Sequence, residues 1–316
     1  MSLETILPFL QPIAHLITDP GISEVMLNPD GAVFIERAGR LERVNETVAQ
    51  VNVERAIKRI AHRADRDITE AEPLLEVRLP DGSRVSAICP PLTTAWCFTL
   101  RKFRDLRYSL GDLVSMKTIT PGQRASLERA ARDRRTILVS GGTSTGKTSM
   151  LNAIASVLPK EDRIILIEDI AEICIDTPNV VQMQARPARD GIRAVTIRDL
   201  VKQSLRFRPD RLIVGEVRGA EAFDLLQALN SGHAGSMSTI HATTAQSALN
   251  KLALYAMQAA LDIPLRALGP SISEAVHLVV QMNRRNGQRI VDQILRVECY
   301  RRETDEYQFT DLTNED

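Results

Sequence analysis

The segment that most constrains this chain of 316 residues is Gly141-Gly142-Thr143-Ser144-Thr145-Gly146-Lys147-Thr148. It fits the pattern G-x-x-x-x-G-K-[ST] and lies between an apolar strand pattern, Thr136 to Ser140, and a helical pattern. In that setting the glycines let the backbone wrap around phosphate groups, so that N–H dipoles and a helix N-terminus face the negative charge. The sequence therefore predicts a phosphate-binding loop between a strand and a helix.

Each part of this loop has an expected role. Lys147 would reach the β and γ phosphates of a nucleotide, and the Thr148 hydroxyl would bind Mg²⁺. The predicted nucleotide-binding residues are Gly141, Gly142, Thr143, Ser144, Thr145, Gly146, Lys147, Thr148 and Ser149. The expected ligand is a nucleoside triphosphate with its Mg²⁺ ion.

Around this loop, short apolar strands alternate with helical patterns. The predicted strands are Thr136 to Ser140, Arg163 to Ile167, Val180 to Gln184, Arg211 to Val214 and Ser236 to Ile240. Such alternation is typical of an α/β domain with a doubly wound, largely parallel sheet. The residues from Glu303 onward are acid-rich and predict a short final strand with a loose tail.

The first hundred residues have a different pattern, that of a mixed α+β unit. Two strand pairs flank the turns Asn28-Pro29-Asp30-Gly31 and Pro80-Asp81-Gly82-Ser83. A first helix is expected over Leu3 to Ile17, shortened or kinked by its prolines. We predict an N-terminal domain over residues 1–104, a basic and irregular linker over 105–120, and the α/β domain over 121–316.

Carboxylates follow two of the predicted strands. Glu216 comes shortly after Val214, and Glu168 and Asp169 come directly after Ile167, with Glu172 one turn further on. An isolated carboxylate after a strand usually is solvated or caps a helix. Two such strands downstream of a phosphate-binding loop instead predict carboxylates for a metal ion and for an attacking water.

Two histidines, His233 and His241, lie in the small-residue segment Gly232 to Ala242. Their spacing does not fit a helix-borne zinc pair. A neutral imidazole could sense or polarise a γ-phosphate. The alternative is that each histidine is a packed or capping residue.

The order and spacing of these segments resemble the secretion ATPases of type II and type IV secretion and of type IV pili. The phosphate loop, Leu166-Ile167-Glu168-Asp169, Leu212 to Gly219 and Gly232 to Ala242 correspond to that family's Walker A, Asp box, Walker B and His box. The short N-terminal unit is most similar to the conjugation branch, the VirB/TrbB-type ATPases. The four cysteines include no C-x-x-C pair, which argues against the larger members with a zinc module.

The resemblance implies a ring-shaped homohexamer that hydrolyses ATP with Mg²⁺. It implies a RecA-like C-terminal domain and a mixed α+β, PAS-like N-terminal domain that folds over the nucleotide. Carried over by position, Glu216 would hold the metal, Glu168 would activate water, and His241, with His233 in support, would couple the γ-phosphate to the sheet. Further candidates are Asp169 and Glu172.

Ring ATPases also need positive charge against the transferred phosphoryl group. Arg101 and Arg104, at the end of the first domain, are candidates to reach the nucleotide. Arg206, Arg208 and Arg218, which flank the Walker B strand, are candidates for contact across a subunit interface. For each arginine the alternative is an ordinary surface or interface salt bridge.

The expected function is to power assembly of, or substrate transfer through, a type IV secretion (conjugal transfer) system, with inner-membrane components as partners. A pilus assembly or retraction motor and an ATP-regulated scaffold stay open as alternatives. A DNA translocase or recombinase on the RecA-like fold is disfavoured and no direct nucleic-acid binding is expected, since the formal net charge is +0 and only 4% of residues are aromatic. We expect a cytoplasmic protein, with the apolar face of the first helix as a candidate for peripheral membrane contact. The alternative, which is the more frequent outcome for such a face, is burial against the rest of the domain.

Overall fold

The structure is a computed structural model that describes residues 7–37, 39–103, 107–188, 191–259 and 263–314. The chain divides into two compact units, Met1–Asp105 and Leu106–Asp316. Within the described ranges, no helix combines the length and the apolarity needed to cross a bilayer. The first unit is of the mixed α+β class and the second of the α/β class, as the sequence predicts.

The first unit is an antiparallel sheet with helices on one face. Its helices are α1 (Ala14–Thr18) and α2 (Gln50–Arg63), and its strands are β1 (Ile22–Leu27), β2 (Ala32–Arg37), β3 (Arg40–Thr47), β4 (Leu74–Arg78), β5 (Arg84–Ile88) and β6 (Cys97–Arg101). The strand order is β3-β2-β1-β6-β5-β4. Side chains alternate between the two faces of a strand. Val25, Val85 and Leu100 accordingly point to one face and are buried with Val53 and Ile57 of α2.

The first helix is shortened and kinked, as its prolines predict, and Leu3 to Ile6 of the predicted span lie outside the described residues. A 3₁₀ segment, Leu7–Ile13, with a kink at Leu10 and a proline at position 12, precedes α1. Pro12 lacks the N–H that a continuous α-helix would need there. Leu10, Ile13, Leu16 and Ile17 are buried in the core of the first unit. The apolar face of this segment is therefore covered by protein.

The second unit contains an eight-stranded sheet between two layers of helices. Its helices are α3 (Leu110–Ser115), α4 (Pro121–Arg132), α5 (Lys147–Ala155), α6 (Ile197–Ser204), α7 (Glu221–Asn230), α8 (Ala245–Met257) and α9 (Leu265–Ala275). Its strands are β7 (Ile137–Gly141), β8 (Ile164–Glu168), β9 (Val180–Gln184), β10 (Arg211–Val217), β11 (Met237–Ile240), β12 (Leu278–Arg285), β13 (Gln288–Arg301) and β14 (Glu306–Asp311). A short 3₁₀ turn, Leu205–Phe207, follows α6.

The sheet order is β14-β13-β12-β7-β11-β10-β8-β9, in which the strands from β12 to β9 are parallel to one another. One face packs against α7, α8 and α9, and the other against α4 and α5. In such sheets, ligands bind at the carboxyl ends of the parallel strands. The phosphate loop follows β7 at this edge, and Glu168, Glu216 and His241 lie at the ends of β8, β10 and β11.

Two parts of the second unit differ from the prediction. The expected linker, residues 105–120, contains α3, which has a capping box between Ser109 and Asp112 and buries Leu110 and Leu113. The C-terminal part contains the predicted short final strand as β14 and adds two strands that the sequence patterns do not predict, β12 and β13, which form an antiparallel meander with it. The meander belongs to the main sheet because β12 pairs with β7, and its apolar residues pack into both layers of the core.

Candidate functional site

The phosphate loop connects the fully buried strand β7 to helix α5. Gly146, the residue before the helix, has φ +92°, a left-handed conformation that a side chain would disfavour. The hydroxyl of Thr145 donates a hydrogen bond of 2.9 Å to the carbonyl of Gly142 and closes the turn. The helix N-terminus that follows presents backbone N–H groups without a helical partner, the feature that binds phosphate. Thr148 and Ser149 lie half-buried in its first turn.

Lys147 is 7% exposed, and its ammonium group lies over the loop. Nζ donates a hydrogen bond of 2.8 Å to the carbonyl of Gly142 and lies 3.3 Å from Nδ1 of His241. Burial lowers the pKa of Lys147, while the nearby charge of Glu216 acts in the opposite direction. The charge of the Glu216 carboxylate, on β10, therefore acts on the Lys147 ammonium group.

Glu216 lies near the end of β10 and carries the carboxylate of this cluster. Its Oε2 lies 2.5 Å from Nη2 of Arg218, and its Oε1 lies 3.0 Å from Nε2 of His241. Oε1 is buried, and no group in the described ranges gives it a well-aligned hydrogen bond. A buried carboxylate oxygen without a hydrogen bond is costly, and a divalent cation or a bound water would satisfy it.

His241 lies between the lysine and the carboxylate, at the end of β11. Its backbone carbonyl accepts a hydrogen bond of 2.8 Å from Nζ of Lys251, which fixes this end of the strand. Burial, and next the positive charge of Lys147, lower the pKa of His241. The imidazole is therefore neutral near pH 7, and this residue, directly after β11, contacts both Lys147 of α5 and Glu216 of β10.

Glu168 lies on the same edge, but the protein itself occupies both of its oxygens. Oε1 accepts backbone hydrogen bonds from Glu172 (2.8 Å) and Ile173 (2.9 Å), and Oε2 accepts one from the Gln182 side chain (3.0 Å). Burial raises the pKa of Glu168, and these hydrogen bonds oppose that rise. Glu168 therefore holds the loop after β8, and no described contact joins it to Lys147.

The other acidic candidates and the second histidine lie at different places. Asp169 is exposed, with Oδ2 3.9 Å from Nη1 of Arg218, and Glu172 is half-buried in the loop after β8. Nδ1 of His233 lies 2.9 Å from the carbonyl of Ala228, near the end of α7. That contact makes His233 a cap of α7, which was the alternative interpretation from sequence.

The candidate arginines are dispersed. Arg218 joins the site through Glu216 of its own chain. Arg206 and Arg208 are exposed near the end of α6. Nε of Arg101 lies 3.5 Å from Oε1 of Glu24 within the first unit, and Arg104 lies outside the described residues.

Sequence reasoning missed two basic residues at this edge, Lys251 and Arg289. Lys251 binds the His241 carbonyl from α8, and Nε of Arg289 on β13 donates a hydrogen bond of 3.2 Å to the carbonyl of Ser144 in the phosphate loop. No motif marks either residue. The available signal was the dipeptide Asn286-Gly287, which predicts a two-residue hairpin turn between β12 and β13.

The residues fit a nucleotide and a divalent cation. The left-handed backbone at Ser144 and Gly146 alternates with ordinary conformations, which is the geometry of an anion-binding nest. The cation has two oxygen donors to bind it, the Thr148 hydroxyl and the unsatisfied Oε1 of Glu216. Oxygen donors of this type suit Mg²⁺.

Comparison with known proteins gives consistent results. The family model for "Type II/IV secretion system protein" matches residues 9–313. A conjugal transfer protein, TrbB of Rhizobium radiobacter, is 35% identical over 289 residues, covering 90% of this chain and 86% of TrbB.

Solved structures are similar as well. The VirB11 ATPase of the Brucella suis type IV secretion system has a TM-score of 0.50 and 27% identity, covering 92% of this chain and 97% of VirB11. The pilus retraction motor PilT with bound ADP has a TM-score of 0.61 at 17% identity, covering 93% of this chain and 82% of PilT, which bears on the fold alone. The predicted RecA-like fold of the second unit, preceded by an N-terminal domain, is confirmed.

Proposed function

The chain belongs to the type II/IV secretion system protein family, and on that premise we propose that it hydrolyses ATP to power assembly of, or substrate transfer through, a type IV secretion (conjugal transfer) system. It would act as a homohexamer at the cytoplasmic face of the inner membrane, with inner-membrane components of that system as partners. The observation that carries the proposal is the contact of His241 with both Lys147 and Glu216 at the phosphate loop. The similarity to TrbB and VirB11 supports it.

Binding of ATP would depend on the phosphate loop and Lys147. Backbone N–H groups at the start of α5 would receive the phosphate oxygens, and Lys147 would exchange its bond to the Gly142 carbonyl for the β and γ phosphates. Thr148 and Glu216 would hold Mg²⁺, which neutralises part of the phosphate charge when bound. Glu216 suits this role because its Oε1 is buried without a well-aligned hydrogen bond.

The two carboxylates would then have separate roles. Since both oxygens of Glu168 accept hydrogen bonds from the protein, we propose that Glu168 fixes the loop of residues 169–173. Glu216 faces His241 and Lys147, and it would orient the attacking water as well as the metal. This assignment moves the water-activating role from Glu168, where the family resemblance places it, to Glu216.

The arginines would supply charge for the transition state. Arg101 lies 3.5 Å from half-buried Glu24, but its own side chain is 53% exposed, so the guanidinium is accessible to a phosphoryl group. Arg104 follows it in sequence and would act with it. Arg206 and Arg208 are exposed and would serve a neighbouring subunit of the ring.

The test is steady-state ATP hydrolysis per subunit across a wide range of protein concentration, with Lys147→Ala as the blank and sedimentation velocity on the same samples. A specific activity that rises as hexamers form supports a site completed between subunits. A flat rate in samples that sediment as monomers would contradict the ring. Wild-type turnover no faster than that of Lys147→Ala would favour the ATP-regulated scaffold.

A second measurement separates the nucleic-acid alternative. Binding to a labelled DNA duplex should be absent at physiological salt, since the net charge gives no general attraction to phosphate. Tight DNA binding that weakens steeply with salt would instead favour a translocase.

A further inference from the structure

We infer that Arg289 is a positioning residue of the nucleotide site, which holds Ser144 in the left-handed conformation that the phosphate loop needs to bind nucleotide. This inference rests on the proposed function, since it assumes that the loop binds nucleotide. It adds the hairpin between β12 and β13, defined by Asn283 to Val291, to a site otherwise built from the ends of β7, β10 and β11.

The hairpin lies beside the phosphate loop because β12 pairs with β7. The parallel pairing ends with Met282 opposite Gly141, and β12 continues to Arg285, beyond the last residue of β7. A Cβ built on Gly146 would lie 3.1 Å from Cδ of Arg289. The aliphatic part of Arg289 therefore packs directly against the residue that precedes α5.

Ser144 needs such support. Its φ of +58° lies in the left-handed region, which is disfavoured for a residue with a side chain because Cβ comes too close to the following carbonyl oxygen. Nε of Arg289 donates a hydrogen bond of 3.2 Å to the Ser144 carbonyl. This hydrogen bond from a charged donor stabilises the carbonyl orientation that the left-handed backbone of Ser144 imposes. The same orientation sets the direction of the N–H groups that follow, which form the phosphate nest.

Arg289 can act this way because its own backbone is fixed from both sides. The Gln288 side chain donates hydrogen bonds to the carbonyls of Met116 (3.3 Å) and Lys117 (3.1 Å), and the Val291 N–H donates one to the carbonyl of Thr118 (2.9 Å). The hairpin is thus attached to the segment between α3 and α4, independently of the loop that Arg289 contacts. Because the backbone of Arg289 is fixed, its guanidinium can favour one conformation of the phosphate loop. A donor on a mobile segment would move with the loop and favour none.

The experiment measures the affinity for a fluorescent ADP analogue, which requires no hydrolysis. Arg289→Ala should raise Kd about tenfold, because a charged hydrogen bond and the support of Ser144 are lost together. Adding Ser144→Gly to the Arg289→Ala protein should recover most of that loss, with the Ser144→Gly single variant as its reference, because glycine adopts the left-handed conformation without strain. Arg285→Ala is the matched control, since it removes the same charge from the same hairpin but takes it from an ion pair with Asp292.

The outcomes separate the possible roles. An Arg289→Ala protein with unchanged Kd overturns the inference. A weakened Kd that Ser144→Gly does not restore also overturns it, because Arg289 would then act by touching the nucleotide or by stabilising the hairpin alone. If the wild type binds ADP but does not hydrolyse ATP, the proposed motor function fails while the role of Arg289 is still decided by Kd. If the wild type binds no nucleotide, both the proposed function and the role of Arg289 are overturned.

Discussion

Arg218, the residue directly after β10, binds Glu216 near the end of that strand, with Nη2 2.5 Å from Oε2 of the carboxylate. The hydrogen bond and the negative charge raise the pKa of Arg218 above its ordinary value. One carboxylate oxygen is therefore committed to the arginine, and the other, Oε1, is directed to His241. A carboxylate held at one oxygen keeps the second in a fixed place for a metal ion or a water molecule.

We expect Glu216→Gln to lower kcat by about a hundredfold or more, while the affinity for ATP changes by less than about fivefold. The amide keeps the shape of the side chain but loses the negative charge that would bind Mg²⁺ and orient water. Single-turnover hydrolysis and nucleotide titration on the same preparation measure the two effects. Glu221→Gln is the control. The Glu221 carboxylate accepts hydrogen bonds from the backbone N–H groups of Arg218 and Gly219 but has no described contact with Lys147. Equal loss of kcat in both variants would contradict the assignment.

The two histidines should respond differently to replacement by alanine. His241→Ala should lower kcat by about tenfold or more, because the link between Lys147 and Glu216 is lost. His233→Ala should instead lower the stability of the protein by about 1 kcal/mol, the value of one hydrogen bond at the end of α7, with kcat nearly unchanged. Turnover assays and urea unfolding of both variants test this. A His233→Ala protein with reduced kcat and unaltered stability would show that the capping role is wrong.

Gly235 should be far less replaceable than Gly232. A Cβ on Gly235 would lie 2.7 Å from Nη1 of the buried Arg211, whereas a Cβ on Gly232 would meet nothing within 4 Å. Both glycines have positive φ, so both alanine variants carry backbone strain and only one carries a clash. We expect a loss of about 1 kcal/mol for Gly232→Ala and about 2–4 kcal/mol for Gly235→Ala in urea unfolding. Equal losses in the free energy of unfolding would mean that the Arg211 side chain can move away from the new methyl group without destabilising the protein.

The stability of the protein should fall as the pH drops below about 7, in part through His277. Nδ1 of His277 accepts a hydrogen bond of 3.0 Å from the Thr136 N–H, so the folded protein needs this nitrogen unprotonated. Burial, and next the charge of Arg135, lower the pKa of His277 below its ordinary value of about 6.5. The unfolded chain therefore takes up the proton first, and the contribution of His277 is complete above pH 6.5 and lost as the pH falls towards the lowered pKa.

The slope from this one group is at most about 1.4 kcal/mol per pH unit. The free energy of unfolding, measured in urea between pH 8 and pH 5, should therefore fall less steeply for His277→Asn than for the wild type. Asparagine supplies an acceptor for the Thr136 N–H and does not titrate in this range. Parallel pH profiles would show that other groups, such as His241, cause the loss.

The sequence was informative where a local pattern matches the final environment. The strands β7, β8, β10 and β11 are short, largely buried apolar runs, and β9 is a half-exposed edge strand; the patterns predict each of the five to within three residues. The edge strand β3 was missed because nearly all its residues are exposed and charged or polar residues dominate its sequence. The strand β6, at Cys97–Arg101, directly precedes the basic segment and was missed as well.

Within the site, sequence could identify the type of each residue but not its partner. His233 and His241 lie in one small-residue segment, and only the packing of α7 and β11 separates a capping histidine from one beside Lys147. Glu168 and Glu216 each end an apolar strand, and the difference between them arises from the loop that folds back onto Glu168. These contacting residues come from other elements of the fold, so their spacing along the chain does not predict the contacts.

The order of strands in the second unit also bears on how the protein is made. β7, which carries the phosphate loop, pairs with β11 at Ile137 and Met237 and with β12 at Ile137 and Leu278. Pairings so distant along the chain form late and slowly. A nascent chain on the ribosome therefore has its entire nucleotide-binding motif outside the exit tunnel long before the neighbours of β7 exist. Nucleotide binding that depends on this sheet would therefore have to wait until synthesis has passed β12, so binding competence would report that translation of the sheet is nearly complete.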